Sequence, residues 1–513
     1  MSRSLIFGLL LALLAALALR CPQLDIRPMH NDEAVNGIKL GALWERGVYH
    51  YDPQEYHGPT LPYLSLVWMK LMGAKDFAHF SEVELRGLTV LFGLGLILLL
   101  PLVADGLGRH ATVCAGVLTA ISPAMVFYSR YYIHEMLLVF FTLLALAAGW
   151  RYMRSRKVGW ALLAGAAVGL MQATKETFIL ALAAMAGALI LNRIWNRAPD
   201  NTAAAKINFK HVLIAMGAWL AIVMILFTSF FTNAGGLLDS LRTYLPWLHR
   251  AGGASPHIHP WNFYLARLAF FQAGKGPVWS EGLILGLAMF GLIAAFRRRG
   301  LAEGNGAFIR FVAFYTVILT AIYCAIGYKT PWCLLGFWQG MILLAGVGIS
   351  ALIHWLPRRA WKIAVGLLLL AGAGQLAFQA WRSAVPYAAD PRNPYVYAQT
   401  SPDVLNLVER LNSLAEASPQ KNQLVVKVMS PEGDYWPLPW YLRRFTNVGW
   451  WSEMPPDAFA PVMIVSTKFQ ANLDAKKTHL MAGLFELRPQ SFFELYVDAD
   501  LWRSHLDAAK PNQ

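Results

Sequence analysis

Between residues 4 and 381 the chain alternates long apolar runs with short polar gaps. The runs are about 16 to 23 residues long, the length at which a helix crosses the hydrocarbon core of a bilayer. They predict transmembrane helices at 4–19, 86–104, 109–127, 134–150, 158–173, 177–194, 209–231, 279–297, 308–326, 333–354 and 361–381. The runs are continuous rather than alternating, which excludes a β-barrel; backbone polarity inside a bilayer then demands helices. From about residue 385 the pattern turns soluble. The stretch SPDVLNLVERLNSLAEA (401–417) opens on a Ser-Pro cap and spaces its apolar residues as an amphipathic helix does. QLVVKVMS (423–430) and PVMIVST (461–467) read as buried strands. No internal repeat or low-complexity segment interrupts this plan.

Composition agrees: 57% of the 513 residues are hydrophobic and 14% charged, against about 25% charged in a soluble domain. The net charge of +14 does not point to nucleic acid, because of where the charges fall. With the N-terminus cytoplasmic, one set of gaps holds Arg109; Arg151, Arg154, Arg156 and Lys157; Arg193, Arg197, Lys206 and Lys210; Arg297, Arg298 and Arg299; and Arg358, Arg359 and Lys362. That is the positive-inside bias, repeated at every crossing. An odd number of spans, about eleven, leaves the C-terminal part outside. The expected architecture is therefore an α-helical polytopic membrane domain over 1–384 and a small C-terminal extracytoplasmic α/β domain over 385–513. Cys21, Cys114, Cys324 and Cys333 show neither CxxC spacing nor a disulfide framework. Ala16-Leu17-Ala18 has the small-residue form of a signal cleavage site, but with many spans following it the first run is expected to stay as an uncleaved helix.

The same threading collects the polar clusters on the opposite face: Asp32-Glu33, His57, Arg130 with His134-Glu135, Lys175-Glu176, the loop 232–278, and Lys329. The first outer loop (20–85) is long enough to need its own elements. Residues 32–45 and 59–73 read as interfacial helices, joined by GVYHYDPQEYHGP (47–59). Neighbouring helical residues point about 100° apart, so Asp32 and Glu33 cannot serve one site in the same way. One can face a cavity while the other braces the backbone, a metal or a neighbouring loop. In isolation the pair would equally suit the positive end of a helix dipole.

The stretch HNDEAVNGIKLGALWERGVYHYDPQEYHGPTLPYL (30–64) resembles the first outer loop of the GT-C glycosyltransferases, which include protein O-mannosyltransferases and the aminoarabinose transferase of lipid A. The nearest likeness is to a prokaryotic mannosyltransferase-like branch described as flippase activity-associated. The resemblance implies a GT-C fold and an inverting transfer of a sugar from a polyprenyl-phosphate donor, at the periplasmic or exterior face of the cytoplasmic membrane. It maps the family's catalytic aspartate onto Asp32, with Glu33 supporting it. In SRYYIHEM (129–136), Arg130 and Glu135 match a family pattern of a basic residue followed by an acid, with Glu where relatives often have Asp. The implied partners are the lipid-linked donor, a glycan, protein or lipid acceptor, and membrane lipids.

The chemistry fits that implication. The chain carries neither a GxxxxGK phosphate loop nor a dinucleotide fingerprint, and nucleotide sugars are not supplied outside the cytoplasm. Transfer from a lipid phosphate needs a carboxylate to take the acceptor's proton and positive charge, from Lys, Arg or a divalent cation, for the departing phosphate. Lys175-Glu176 in ATKETF and Lys329 in GYKTPW stand at span ends, with Lys329 the favoured phosphate ligand. Ionisable groups at membrane depth tend to be functional, although near the interface they also snorkel cheaply. His257 and His259 form an HxH pair that could hold metal or substrate; Trp261, Tyr264 and Trp247 suit sugar stacking or an interfacial belt. His57 stands between a metal and a substrate role. EGDYWPLPWYLRRF (432–445) either packs the C-terminal domain on the membrane part or presents an acceptor surface. The competing reading is a transporter, flippase-associated or scaffold subunit that handles lipid-linked sugars without chemistry.

Overall fold

The computed structural model describes residues 2–54, 57–195, 208–252, 255–297 and 303–508. Arg197, Lys206, Arg298 and Arg299, and Glu55 and Tyr56 of the first loop, lie outside the described residues. Each of the expected spans is helical over most of its described length, and the chain is a multi-pass membrane protein. Among the described residues, eight helices are long and apolar enough to cross a bilayer: Arg3–Arg20, Glu82–Leu107, Glu135–Ser155, Phe178–Trp195, Phe209–Phe227, Gly306–Ala325, Pro331–Trp355 and Arg359–Ala384. Two shorter apolar helices, Val158–Thr174 and Gly282–Arg297, fill two further positions.

The expected span at 109–127 is broken. Arg109–Ile121 and Pro123–Ser129 meet at 59°. Pro123 has no N–H to continue the ladder and sits at the first position of the second helix, where Ser122 caps the Met125 N–H. The expected span at 209–231 also ends early, at Phe227, because Ser229, Phe230 and Phe231 adopt left-handed backbone angles. Elsewhere the helices approach until backbones touch. A Cβ on Gly291 would lie 1.9 Å from the Leu344 carbonyl oxygen, and one on Gly348 would lie 2.0 Å from that of Leu287. Small residues permit this close packing where lipid offers no hydrophobic drive.

The C-terminal region builds a five-stranded sheet of β1 (Val426–Met429), β2 (Val448–Trp451), β3 (Val462–Ser466), β4 (His479–Arg488) and β5 (Ser491–Asp498), in the order β2-β1-β3-β5-β4. β1 runs parallel to β2 and β3, pairing Val426 with Val448 and Val462; β5 runs antiparallel to β3 and β4. β3 is buried throughout, as a continuous apolar run in a parallel sheet should be. The predicted amphipathic helix forms at Asp403–Ala417 and buries Val404, Leu407, Leu411 and Leu414. The aromatic stretch 432–445 packs this region onto the first long loop. The Trp440 indole N–H donates to Glu82 at 2.7 Å, the Met29 N–H donates to the Tyr441 hydroxyl at 2.8 Å, and Arg443 donates to the Phe80 carbonyl.

Candidate functional site

The first loop folds into the helix Asn31–Arg46, started by a capping box between His30 and Glu33 and stopped by Gly47 at φ 68°. Asp32, Val35, Asn36 and Lys39 recur at the spacing of one helix face, and all four line a cavity of about 420 Å³. The Asp32 side chain is 47% exposed. Its backbone N–H donates to His30 Nδ1 at 3.1 Å. That nitrogen is therefore unprotonated, and its 3.9 Å approach to the Asp32 carboxylate is not an ion pair. Burial holds the His30 imidazole below the usual histidine range, which keeps it neutral.

Glu33 points the other way and is fully buried. Its Oε1 accepts from Arg27 at 3.0 Å, Arg86 at 2.9 Å and the Tyr132 N–H at 2.9 Å; Oε2 accepts from Arg86 and the His30 N–H, each at 2.9 Å. Burial alone would raise this carboxyl, but the Arg27 and Arg86 guanidiniums bring it down to about 2. Glu33 ties the first loop to the junction after the bent span and sets the rotation of the helix that presents Asp32.

Arg130 performs a similar task. Buried and short of the cavity, it donates to the carbonyls of Arg20, Pro22, Gln23 and Ala384 at 2.6–3.2 Å. Glu135 opens the next helix and pairs with Lys175, both buried. Burial would lower the Lys175 ammonium; the Glu135 carboxylate reverses this and holds it above the usual lysine range. Beside it, Glu176 accepts from His57 at 3.2 Å, and that contact outweighs burial to keep the Glu176 carboxyl below the usual range. The two junctions are joined by backbone. Gly58 donates to the Thr174 carbonyl at 3.1 Å, and a Cβ on Gly58 would lie 2.1 Å from the Ala173 carbonyl oxygen. His57, Lys175 and Glu176 line the cavity beside Asp32. A hollow of about 20 Å³ beneath, bordered by Glu135, Lys175 and Tyr323, has room for one water.

Other sequence candidates lie outside this wall. Lys329 is buried, with its ammonium donating to the carbonyls of His259, at 3.1 Å, and Ile326. His257 and His259 both meet the Tyr397 hydroxyl, at 2.7 and 3.0 Å. Trp261 is 69% exposed. Among the described residues no group of three or more His, Cys, Asp or Glu gathers as a metal site. Conversely, Asn36, Lys39 and Trp436 line the cavity without having stood out in the sequence. The seven-residue step from Asp32 to Lys39 was the available signal for two of them; Trp436 belongs to the aromatic stretch 432–445, read as packing or acceptor surface without singling out this residue.

Residues 62–235 match the dolichyl-phosphate-mannose-protein mannosyltransferase family. Among curated proteins none matches the chain. Among solved structures, the chain is similar to ArnT from Cupriavidus metallidurans bound to undecaprenyl phosphate, at 15% identity and a TM-score of 0.59, covering 96% of this chain and 98% of that one. It is also similar to the oligosaccharyltransferase of Archaeoglobus fulgidus tethered with an acceptor peptide, at 13% identity and a TM-score of 0.55, covering 99% and 77%. The archaeal oligosaccharyltransferase AglB from Archaeoglobus fulgidus with an inhibitory peptide and a dolichol-phosphate gives 13% identity, a TM-score of 0.52, and 91% and 70% coverage. The chain thus shares the fold of these solved structures, and its residues 62–235 match the mannosyltransferase family.

Proposed function

We propose that this chain is an integral-membrane glycosyltransferase that moves a sugar from a polyprenyl-phosphate donor to an acceptor, with inversion, on the extracytoplasmic side of the cytoplasmic membrane. Asp32 is the general base. It takes the proton of the acceptor's nucleophile as that atom bonds the anomeric carbon. The bond from that carbon to the phosphate oxygen breaks on the opposite face, and the lipid phosphate leaves with the electron pair. The observation that carries the reading is the partition of the acidic pair: Asp32 is half-exposed on the cavity wall, whereas Glu33 is sealed into an arginine hub. The wall also offers Trp247, Tyr264, Trp332 and Trp436, the flat faces on which a sugar ring packs. The lipid phosphates bound by the solved structures of similar fold support the donor class. The C-terminal region 385–513 serves as an outer domain that closes one side of the cavity through Trp436.

The test is to incubate purified protein with radiolabelled polyprenyl-phosphate hexoses and a crude envelope extract. Label should pass from lipid to a polar or protein fraction, and Asp32→Asn should lower the rate by roughly 10²–10⁴-fold. Donor binding without transfer, unaltered by that substitution, would overturn the proposal.

A further inference from the structure

The residues just before Asp32 are held from the C-terminal region. Gln399 donates to the Pro28 carbonyl at 3.0 Å, and Thr400 donates to the Met29 carbonyl at 2.7 Å. A further contact reaches the helix itself. Arg488 closes β4, beside a shift in the β4–β5 register between Glu486 and Arg488, an irregularity of the kind that re-aims a side chain. One arm of its guanidinium donates to the Trp436 carbonyl at 2.8 Å and the other to the Asp434 carboxylate, both in the connection between β1 and β2. Asn31, the first residue of the helix Asn31–Arg46, completes the set. Its amide, oriented by these partners, donates to the Trp436 carbonyl at 3.1 Å and accepts from Arg488 at 2.8 Å. The Arg488 side chain is only 14% exposed, although it stands at a hairpin end, where an arginine ordinarily has water on most sides.

Resting on the transferase reading, we infer that Arg488 is a positioning residue: it clasps Trp436 to the helix that carries Asp32. The clasp sets the spacing between an aromatic platform for the acceptor and the base that takes the acceptor's proton. Trp436 and Asp32 both line the cavity, and Asp32 follows Asn31 directly. The lipid-linked donor arrives from the bilayer, which leaves the side covered by the C-terminal region to the acceptor. Arginine suits the task because one planar fork meets a carboxylate and two oxygen acceptors from different elements; glutamine would keep neither the charge nor the fork. The geometry tolerates little error, since about an ångström of displacement between reacting groups is enough to cost turnover.

The experiment labels the full-length protein, in detergent, with fluorotryptophan and reads fluorine NMR. The line missing from Trp436→Phe belongs to Trp436, and the line missing from Trp440→Phe belongs to Trp440, whose indole is held by Glu82 instead. Arg488→Gln should shift or broaden the Trp436 line and leave the Trp440 line in place. Should Arg488→Gln not fold, Asn31→Ala, which removes only the helix side of the clasp, should move the Trp436 line in the same way. Transfer is read with the radiolabelled polyprenyl-phosphate hexose fixed and the envelope extract diluted in steps. Arg488→Gln and Trp436→Ala should each raise the half-saturating amount of extract severalfold, and the double variant no further, because one residue acts through the other. The inference is overturned if the Trp436 line stays in place in a variant melting at the unaltered temperature, or if the Trp440 line moves with it. It is equally overturned if the two effects multiply in the double variant. A Trp436 line that moves as expected in a protein that transfers no sugar would sink the transferase reading and leave the clasp standing.

Discussion

Asp32 and Glu33 are consecutive residues with opposite fates: the first faces the cavity with 47% of its side chain exposed, and the second is wholly buried between Arg27 and Arg86. A pair that looks symmetrical in the sequence is thus divided between presenting a carboxylate and fixing the backbone that presents it.

Removing the hidden partner should therefore harm the fold more than removing the visible one. Glu33→Gln leaves two buried guanidiniums without their counter-charge and should cost roughly 3–5 kcal/mol of stability. Asp32→Asn should melt close to the unaltered protein while losing transfer. Differential scanning fluorimetry of both variants in one detergent checks this; a Glu33→Gln protein that melts normally would remove the hub from the argument.

The same hub makes an acid-side prediction. The Glu33 carboxyl sits at about 2 in the folded protein, against an ordinary 4.5. As pH falls below about 4.5 the unfolded chain takes up this proton first, so the hub's contribution is complete above that pH and is lost toward pH 2. Melting temperature should fall across that window in the unaltered protein and fall less in Glu33→Gln. Parallel curves would show that other carboxylates govern the acid limb.

Gly58 sets the distance between the two junctions that carry His57 and Lys175. Gly58→Ala would drive a methyl group into the Ala173 carbonyl oxygen and push the 174–176 junction off the cavity wall. Transfer should drop by about 10²-fold, the scale expected when reacting groups are displaced by an ångström, with helix content by circular dichroism retained. Normal turnover in this variant would mean that the His57–Glu176 and Lys175–Glu135 pairs take no part in positioning.

Trp436 brings a piece of the C-terminal region to the cavity. Trp436→Ala should raise the KM for the acceptor severalfold and leave undecaprenyl phosphate binding unaltered, if the C-terminal region forms the acceptor side of the cavity. Steady-state kinetics with each substrate varied in turn separate the two; a change confined to the lipid donor would reverse the proposed orientation.

The spans were legible because apolar length is a direct physical requirement of the bilayer. The break at Ser122-Pro123 was missed: its signature, a cap followed by a first-turn proline, sits inside a continuous apolar run that reads as one span. β4 carried no comparable signal, since its burial is partial along nearly all of its length. At the site, the Asp-Glu pair and the Lys175-Glu176 junction stood out as ionisable groups at helix ends. Which acid faces the cavity did not, because Arg27, Arg86 and the Tyr132 N–H set the helix rotation, and Arg86 and Tyr132 lie far along the chain. Nor did the sequence show which partners Arg130 and Lys329 take. Their charges satisfy backbone carbonyls at junctions, a use of a cation that leaves no pattern in the sequence.

The helix that carries Asp32 and Lys39 has a second neighbour. Behind it, a Cβ on Gly37 would lie 2.8 Å from the Trp440 ring, and Trp440 belongs to the connection between β1 and β2 of the C-terminal sheet. The helix is thus a party wall, with the cavity on one side and the C-terminal region on the other. Neither side can drift alone: a larger residue at position 37 requires a smaller one at 440, or the wall turns and carries Asp32 with it. Divergence in the C-terminal region is constrained at this seam by whatever position the cavity requires of Asp32 on the far side of the helix.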